Sequence, residues 1–94
     1  MSQPAPAFTL YQRETCPYCA PVRKRLTELL VRYTLVNVPK ERSERHELIA
    51  LTGAHFIPAI VGDDAVIAGR LEDCSHVIEY IERRFGTPRT TDRP

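Results

Sequence analysis

Cys16-Pro17-Tyr18-Cys19 places two thiols three residues apart, between a predicted strand at Phe8 to Tyr11 and a predicted helix from Pro17 to about Val31. Cysteines at positions i and i+3 of a helix share a face, so their sulfurs can meet as a disulfide or separate as a dithiol. The unpaired N–H groups and the positive dipole end at a helix start favour the thiolate, the reactive form of cysteine. We therefore expect Cys16 to be a nucleophile and Cys19 its resolving partner.

The composition is that of one ordinary globular domain, with 94 residues, 43% of them hydrophobic, and a formal net charge of +1. This charge balance gives no reason to expect nucleic acid or a membrane surface as a partner. No apolar run approaches the roughly 18–20 residues of a membrane span, and residues 1–7 do not resemble a signal peptide. Three cysteines are an odd number, which argues against a secreted disulfide framework. We expect a cytoplasmic monomer.

The apolar pattern predicts the element order β-α-β-α-β-β-α. After the first strand, further strands are predicted at 33–38, 58–61 and 65–68. The turn Gly62-Asp63-Asp64 joins the last two strands as a hairpin. We expect residues 1–7 to be a flexible arm, residues 8–86 to form the domain and residues 87–94 to be a frayed tail. This order predicts an α/β fold in which a four-stranded mixed sheet has helices on both faces.

The three predicted helices each have an apolar face. Ser43 is predicted to cap the second helix and Gly53 to end it, while Asp73 or Ser75 begins the third and Gly86 ends it. The residues predicted to point inward are Val22, Leu26, Leu29 and Leu30 on the first helix, Leu48, Ile49 and Leu51 on the second, and Val77, Ile78, Tyr80 and Ile81 on the third.

Two features of the first helix stand apart from this pattern. Pro21 would lie four residues inside the helix, where it removes a backbone hydrogen bond and bends the first turns. The basic run Arg23-Lys24-Arg25 is expected to be a solvated helix face. His55, in the second half of the chain, is expected to be a surface or edge residue without a catalytic role, because a thiolate favoured by a helix start needs no histidine base.

The element order, with a cysteine pair at the first strand–helix junction, resembles the thioredoxin fold, and Cys-Pro-Tyr-Cys is the pattern of dithiol glutaredoxins. Residues 10–19 look like the active-site segment of that family. The resemblance implies a glutathione-dependent thiol–disulfide oxidoreductase with no bound cofactor, acting on disulfide-containing or glutathionylated proteins. Cys16 would attack and Cys19 would resolve. The resemblance also implies that Ile57–Pro58 is a cis peptide bond and that the backbone of Ile57 pairs with glutathione as an added strand would.

Residues 68–81 resemble instead the end of a glutathione transferase N-terminal domain. In that family an acidic–serine pair before the last helix holds the γ-glutamyl end of glutathione, and Asp73-Cys74 occupies this position here. Glutaredoxins usually carry a Gly-Gly and an Asp pair in this region. Because this chain has Ala68-Gly69 and no equivalent Asp pair, we expect its glutathione affinity to be weaker than that of a member with the full pattern.

The residues around the cysteine pair each have two interpretations. Arg13 is expected to bind the glycyl carboxylate of glutathione through a charge-assisted pair, with Gln12 as a second candidate, or else to be a solvated charge. Tyr18 is an aromatic wall for the ligand or an exposed loop residue. Pro58 would otherwise be an ordinary first residue of a strand. Cys74 is a small buried residue, a helix-start N–H donor or a third redox thiol.

Two other functions fit the same residues. The first is a transferase-like module that binds glutathione without redox turnover. The second is a structural zinc domain with the ligands Cys16, Cys19, Cys74 and His76. Since C-x-H is not a common chelating spacing and redox chemistry already explains the first pair, the redox function is favoured.

Overall fold

The computed structural model describes residues 5–86, and within them the predicted order β-α-β-α-β-β-α is confirmed. The strands are β1 (Thr9–Gln12), β2 (Thr34–Asn37), β3 (Ala59–Val61) and β4 (Val66–Ile67), and the helices are α1 (Ala20–Glu28), α2 (His46–Thr52) and α3 (Ser75–Ile81). Residues 1–4 of the predicted arm and the predicted tail 87–94 lie outside the described residues. None of the helices in the described part of the chain is both long and apolar enough to cross a membrane.

The four strands form one mixed sheet in the order β2-β1-β3-β4. β1 and β2 are parallel, which requires the crossover that α1 provides, and the other neighbouring pairs are antiparallel. The predicted turn at residues 62–64 joins β3 to β4, and the Gly62 N–H donates to the Ala65 carbonyl at 2.8 Å. The predicted α/β architecture is therefore confirmed, and the end of β1 leads directly to the cysteine pair.

Helices cover both faces of this sheet, as predicted. On one face α1 and α3 pack on β1 and β3 through a core of buried side chains, which are Phe8, Leu10, Val22, Leu26, Ile60, Val77 and Ile81. On the other face α2 packs through Leu48 against Tyr11, Val38 and Ala59. Successive residues of β1 therefore point to opposite faces of the sheet, with Leu10 in the first core and Tyr11 in the second, as the two-residue period of a strand requires. The hydroxyl of Tyr11 also donates to Glu47 of α2 at 2.6 Å.

Helix α1 begins later and ends earlier than predicted. Residues 17–19 form a turn, and the first helical residue is Ala20. Pro21 therefore occupies the first turn, where its missing N–H has no helical partner to lose, so its predicted position four residues inside the helix, with the loss of a backbone hydrogen bond, was wrong. At the other end Leu30 follows the helix with a φ of 56° and is 89% exposed, so its predicted inward position was also wrong.

Helix α2 is shorter than its apolar pattern suggested. A 3₁₀ turn at Arg42–Glu44 precedes it, and Ser43 lies inside that turn, so its predicted capping role was wrong. Gly53 ends α2 as predicted, with a φ of 84° and its N–H bonded to the Ile49 carbonyl at 2.8 Å. Of the three predicted inward residues only Leu48 is buried, because a helix of two turns can present a single narrow stripe to the sheet.

Helix α3 begins at Ser75, one of the two predicted starts, and Val77 and Ile81 are buried as expected. Ile78 and Tyr80 are partly buried against the same core. A π-helical segment, Glu82–Gly86, continues the helix to the predicted glycine. Arg25 of α1 donates to Glu82 at 2.9 Å, which ties the end of α3 to α1.

Candidate active site

The two cysteines of the Cys16-Pro17-Tyr18-Cys19 turn occupy different environments. The Cys19 N–H donates to the Cys16 carbonyl at 3.2 Å. The Arg23 N–H donates to the Cys19 carbonyl at 3.0 Å, and this bond begins the helix. Cys16 is half-buried, whereas Cys19 is fully buried. Both are free thiols. The sequence analysis placed Cys16 at the start of a helix that begins at Pro17, but Cys16 lies before a turn at residues 17–19, and the N-cap of the helix is Cys19.

Burial raises the pKa of the Cys19 thiol to about 12. The backbone N–H of Arg13 opposes this by donating to the sulfur, while the neighbouring Cys16 side chain adds to it through a hydrogen bond and its charge. The positive charge of Arg23 acts in the opposite direction and lowers the pKa. The two thiols are thus in contact, and Cys19 retains its proton far more firmly than an exposed cysteine does.

The loop that faces the pair contains the predicted cis peptide bond between Ile57 and Pro58, which is confirmed. Pro58 is buried, and Ile57 is half-buried and lines the same cavity as Cys16. Gly69 supports this loop from behind: a Cβ atom at Gly69 would lie 2.3 Å from the Phe56 carbonyl oxygen. Only glycine permits so close a backbone approach.

A cavity of ≈ 240 Å³ opens beside Cys16. Of the predicted site residues it brings together Cys16, Arg13, Tyr18 and Ile57. Its lining also includes residues that the sequence analysis did not select for the site, among them Arg42, Arg45, Phe56 and Arg70. The cavity therefore has a thiol on one side, an aromatic wall at Tyr18 and several guanidinium groups around it.

Asp73 and Cys74 do not line this cavity. They line a neighbouring, more open one of ≈ 510 Å³, which shares Tyr18 and Glu72 with the first. One Asp73 carboxylate oxygen accepts from the N–H and hydroxyl of Ser75 at 2.9 and 2.8 Å, and the Ser75 N–H lowers the pKa of this carboxyl. Burial raises the pKa of the Cys74 thiol, and the Asp73 charge adds to it. A ligand that reached both Cys16 and Asp73 would pass over Tyr18.

The proposed zinc ligands do not converge. The Nε2 atom of His76 lies 2.7 Å from the Ala68 carbonyl oxygen, and its Nδ1 atom is buried without a hydrogen-bond partner. Within residues 5–86 no three His, Cys, Asp or Glu side chains are grouped so that they could hold a metal ion. The cysteine pair is thus arranged for contact between its own two sulfurs.

The family model for glutaredoxin matches residues 8–67, which is more than half of the chain. The chain belongs to the glutaredoxin family. No curated protein sequence matches it. The matched span contains the cysteine pair and the cis-proline loop, while the segment that carries Asp73 and Cys74 lies beyond it.

Solved structures show the same fold at low sequence identity. A glutaredoxin from Archaeoglobus fulgidus superposes with a TM-score of 0.61 at 22% identity, covering 83% of this chain and 84% of its own. The buckwheat glutaredoxin–glutathione complex superposes with a TM-score of 0.63 at 22% identity, and the match covers 92% of this chain and 77% of the buckwheat chain. A glutathione transferase homolog from Drosophila mojavensis, with bound glutathione, gives 0.72 at 23% identity and covers 89% of this chain. The chain spans only 40% of that transferase homolog.

A polar network behind the glutaredoxin cysteines was also missed from the sequence. Gln12 is fully buried, donates to the Asn37 side chain at 2.7 Å and accepts from Arg23. Arg23 in turn pairs with Glu14 at 3.5 Å. Gln12 is thus unavailable to a glycyl carboxylate, and Arg23 is not part of a solvated face. A buried Gln at the end of β1 is the signal that could have indicated the network, because a buried amide requires partners.

His55 is half-buried. Its ring packs against Phe56 with the ring centroids 4.3 Å apart and the planes tilted by 51°, and its carbonyl oxygen accepts from Arg45 at 2.8 Å. Arg45 is itself buried, with 5% of its surface exposed, and donates to two further carbonyls at Pro39 and Lys40. Arg45 therefore fastens the loop before α2 to the loop that carries the cis-proline.

Proposed function

We propose that this chain reduces disulfides and glutathione mixed disulfides through the Cys16/Cys19 dithiol, with glutathione as the reductant. The observation that carries the proposal is the asymmetry of the pair: Cys16 borders a cavity, and Cys19 is buried in contact with it. A nucleophile must be reached by its substrate, whereas a resolving thiol has to reach only its neighbour.

In the proposed reaction, the Cys16 thiolate attacks one sulfur of a disulfide R–S–S–R′ and forms a Cys16–S–S–R bond. The R′S⁻ group leaves and takes a proton from solvent. Cys19 then loses its proton, attacks the Cys16 sulfur and expels RS⁻, which leaves a Cys16–Cys19 disulfide. The protein has given up two electrons, and two molecules of glutathione return them by forming glutathione disulfide.

The proposed glutathione position follows from the residues around the pair. The backbone of Ile57 pairs with the extended tripeptide, Arg13 receives the glycyl carboxylate, and Asp73 with Cys74 receives the γ-glutamyl end beyond Tyr18. The buckwheat glutaredoxin and the transferase homolog, which both carry glutathione, support this choice of ligand. Glutathionylated or disulfide-bonded proteins are the proposed partners, and a reducing compartment such as the cytoplasm is the proposed location.

The test compares wild type with Cys16→Ser and Cys19→Ser on a glutathionylated peptide and on a disulfide-bonded peptide, with glutathione as reductant. Cys16→Ser should lose activity on both substrates. Cys19→Ser should lose activity on the disulfide-bonded peptide but retain activity on the glutathionylated one. The reason is that glutathione itself can reduce the mixed disulfide at Cys16. Cys74→Ser is the matched control and should retain both activities. Activity that survives Cys16→Ser would overturn the proposal.

A second candidate is a glutathione-binding module of transferase type without redox turnover. It is favoured by the transferase homolog, whose TM-score of 0.72 exceeds the 0.61 and 0.63 of the two glutaredoxins. The same variants separate the two functions. If Cys16→Ser and Cys19→Ser still conjugate glutathione to an electrophile, the transferase-like function is supported. If neither variant nor wild type catalyses conjugation, the oxidoreductase is the remaining candidate.

A further inference from the structure

The cavity beside Cys16 carries more positive charge than glutathione requires. Four arginines line it, which are Arg13, Arg42, Arg45 and Arg70. The only carboxylate in the lining is that of Glu72. Arg70 pairs with Asp73 at 3.7 Å, but the other three arginines form no ion pair with a carboxylate of residues 5–86. Three guanidinium groups therefore share this cavity without a counter-ion from the described chain.

Arg45 is the fixed member of this group. It is 95% buried, since only 5% of its surface is exposed, and its Nε, Nη1 and Nη2 atoms donate to the carbonyls of Pro39, His55 and Lys40 at 2.8, 2.8 and 3.1 Å. Three of the five N–H groups of a guanidinium are thus used, and two remain for a ligand. A buried charge without a partner charge is costly, so its position against a cavity favours an anionic ligand there.

Arg42 and Arg13 add to this charge from two other elements. Arg42, in the 3₁₀ turn before α2, lies over the Phe56 ring with its Cζ atom 5.8 Å from the centroid. Arg13 is half-buried where β1 ends. After burial, the like charges of Arg13 and Arg42 are the next causes that lower the pKa of Arg45, so both guanidinium groups are close enough to repel Arg45. A ligand with more than one negative charge would relieve that repulsion.

We propose that Arg13, Arg42 and Arg45 form a subsite for a doubly charged anion, so that the enzyme prefers small disulfides whose thiol half carries two negative charges close to sulfur. This inference rests on the proposed function and adds a substrate class to it. The glycyl end of glutathione offers a single carboxylate, which one arginine can bind. Dicarboxylate and phosphate monoester thiols offer two charges, and the planar guanidinium fork is suited to both.

The chemistry is that of the proposed dithiol cycle. The Cys16 thiolate attacks R–S–S–R, where R is the dianionic group, and one RS⁻ leaves and is protonated by solvent. Cys19 gives up its proton and releases the second RS⁻. Two electrons pass from the dithiol to the substrate, and glutathione restores them. The subsite holds R in the cavity while the two sulfurs react.

The test uses two disulfides that differ by one carboxylate per half: dithiodisuccinate, the disulfide of mercaptosuccinate, and 3,3′-dithiodipropionate, the disulfide of 3-mercaptopropionate. The uncharged bis(2-hydroxyethyl) disulfide is the third substrate. The kcat/KM for each disulfide is divided by the rate constant of its uncatalysed reaction with glutathione. This normalisation removes differences in the intrinsic reactivity of the three disulfides. We expect the normalised kcat/KM to be about tenfold higher for dithiodisuccinate than for 3,3′-dithiodipropionate, which is the effect of one added charge-assisted contact.

Arg42→Gln should reduce that preference to about twofold or less, and Arg42→Lys should retain part of it, because the charge remains without the fork. Arg83→Gln, an exposed arginine outside the cavity, removes the same charge and should keep the full preference. Arg45→Gln should also abolish the preference, but the conclusion stands on Arg42 if that variant does not fold. Reduction of the uncharged disulfide should be equal in wild type and Arg83→Gln, and the preference of each variant is taken relative to its own rate with that disulfide.

The outcomes distinguish failure of the oxidoreductase function from failure of the anion subsite. If wild type reduces none of the three disulfides, the proposed function fails. If it reduces the uncharged disulfide but shows no normalised preference for dithiodisuccinate, or if Arg42→Gln retains the preference, the anion subsite is overturned and the oxidoreductase remains.

Discussion

The backbone N–H of Cys19 donates to the Cys16 carbonyl oxygen at 3.2 Å, and this turn places one thiol at a cavity and the other inside the protein. Because Pro17 and Pro21 lack N–H groups, regular helical hydrogen bonding cannot begin until after the turn. The result is a pair of contacting sulfurs that differ in access to substrate, and the buried thiol, Cys19, has a raised pKa. Each consequence of that difference can be measured.

The free energy of unfolding of the reduced protein should fall as pH rises from about 9 to about 12. Burial raises the pKa of Cys19 from 9.0 to about 12, so the unfolded chain loses this proton before the folded protein does. The stability is therefore fully present below pH 9.0 and is lost as pH approaches the folded pKa. The expected slope is at most about 1.4 kcal/mol per pH unit for one group. Urea unfolding at several pH values with a phosphine reductant measures it.

Cys19→Ser is the matched variant for this prediction, because a hydroxyl replaces the thiol and does not titrate in this range. Its slope between pH 9 and 10 should be flatter than that of wild type. Tyr11, whose pKa burial and Glu47 raise from 10.0 to about 12, should contribute only above pH 10, and Tyr11→Phe should remove that part. If the free energy of unfolding has the same pH dependence below pH 10 in wild type and Cys19→Ser, the loss of stability does not come from the Cys19 thiol.

Arg23→Met should slow the resolving step, because the Arg23 charge opposes the raised pKa of Cys19 and the substitution removes it. The substitution also leaves the buried oxygen of Gln12 without its donor. A slowing of about threefold to tenfold is expected, which corresponds to a shift of up to one pKa unit in the attacking thiol. Single-turnover reaction with a glutathionylated peptide, acid-quenched and analysed by mass spectrometry, should show the Cys16–glutathione adduct accumulating.

Glu14→Gln is the control for Arg23, since it removes the exposed ion pair at 3.5 Å and leaves the Arg23 to Gln12 hydrogen bond intact. Arg23→Lys keeps the charge and should recover part of the rate. If Arg23→Met and Glu14→Gln resolve the adduct at the wild-type rate, the Arg23 charge plays no part in resolution.

Gly69→Ala should impair both stability and glutathione use. The added Cβ would lie 2.3 Å from the Phe56 carbonyl oxygen, so the loop that carries Ile57 must move. Overpacking of this kind typically costs about 1–3 kcal/mol. We expect a lower urea midpoint and a raised KM for glutathione. Gly86→Ala is the control, because its nearest neighbours would lie at 3.7 Å and it is remote from the cavity. A Gly69→Ala protein with wild-type KM would show that the loop position does not depend on this approach.

The sequence was sufficient for the order of elements, because each element has its own local signal. The β-branched strands, the apolar stripe of α1 and the positive-φ glycine at Gly53 are all read within a few residues. The cis bond before Pro58 was predicted from family resemblance, since the residues themselves favour trans. The same local logic placed the start of α1 too early, because it took Pro21 as a residue inside the helix rather than as a residue of the first turn.

The arginines around the cavity were missed for a different reason. Arg45 hydrogen bonds to carbonyls at Pro39, Lys40 and His55, which no side-chain pattern reports because the acceptors are backbone atoms. Its burial is a tertiary property that its local sequence does not reveal. Arg42 likewise reaches the cavity only because the chain forms a 3₁₀ turn where Ser43 was predicted to cap a helix.

Asp73 allows the proposed γ-glutamyl contact to be tested apart from helix capping. One Asp73 oxygen accepts from the Ser75 N–H and hydroxyl, and the other lies 3.7 Å from Arg70, so the residue both begins α3 and carries a charge. Asp73→Asn keeps an acceptor and removes the charge, whereas Asp73→Ala removes both. We expect both variants to weaken binding of S-methylglutathione, which cannot form a disulfide, and only Asp73→Ala to lower the melting temperature.

The pH dependence of that binding gives an independent check. The Ser75 N–H lowers the pKa of Asp73 from its ordinary value, so the carboxylate should stay ionised and the affinity for S-methylglutathione should be constant from neutral pH down to about pH 5. NMR titration at several pH values measures this directly. If Asp73→Asn binds S-methylglutathione as wild type does, the ammonium of the γ-glutamyl group has no partner at Asp73, and the transferase-like half of the binding mode must be abandoned.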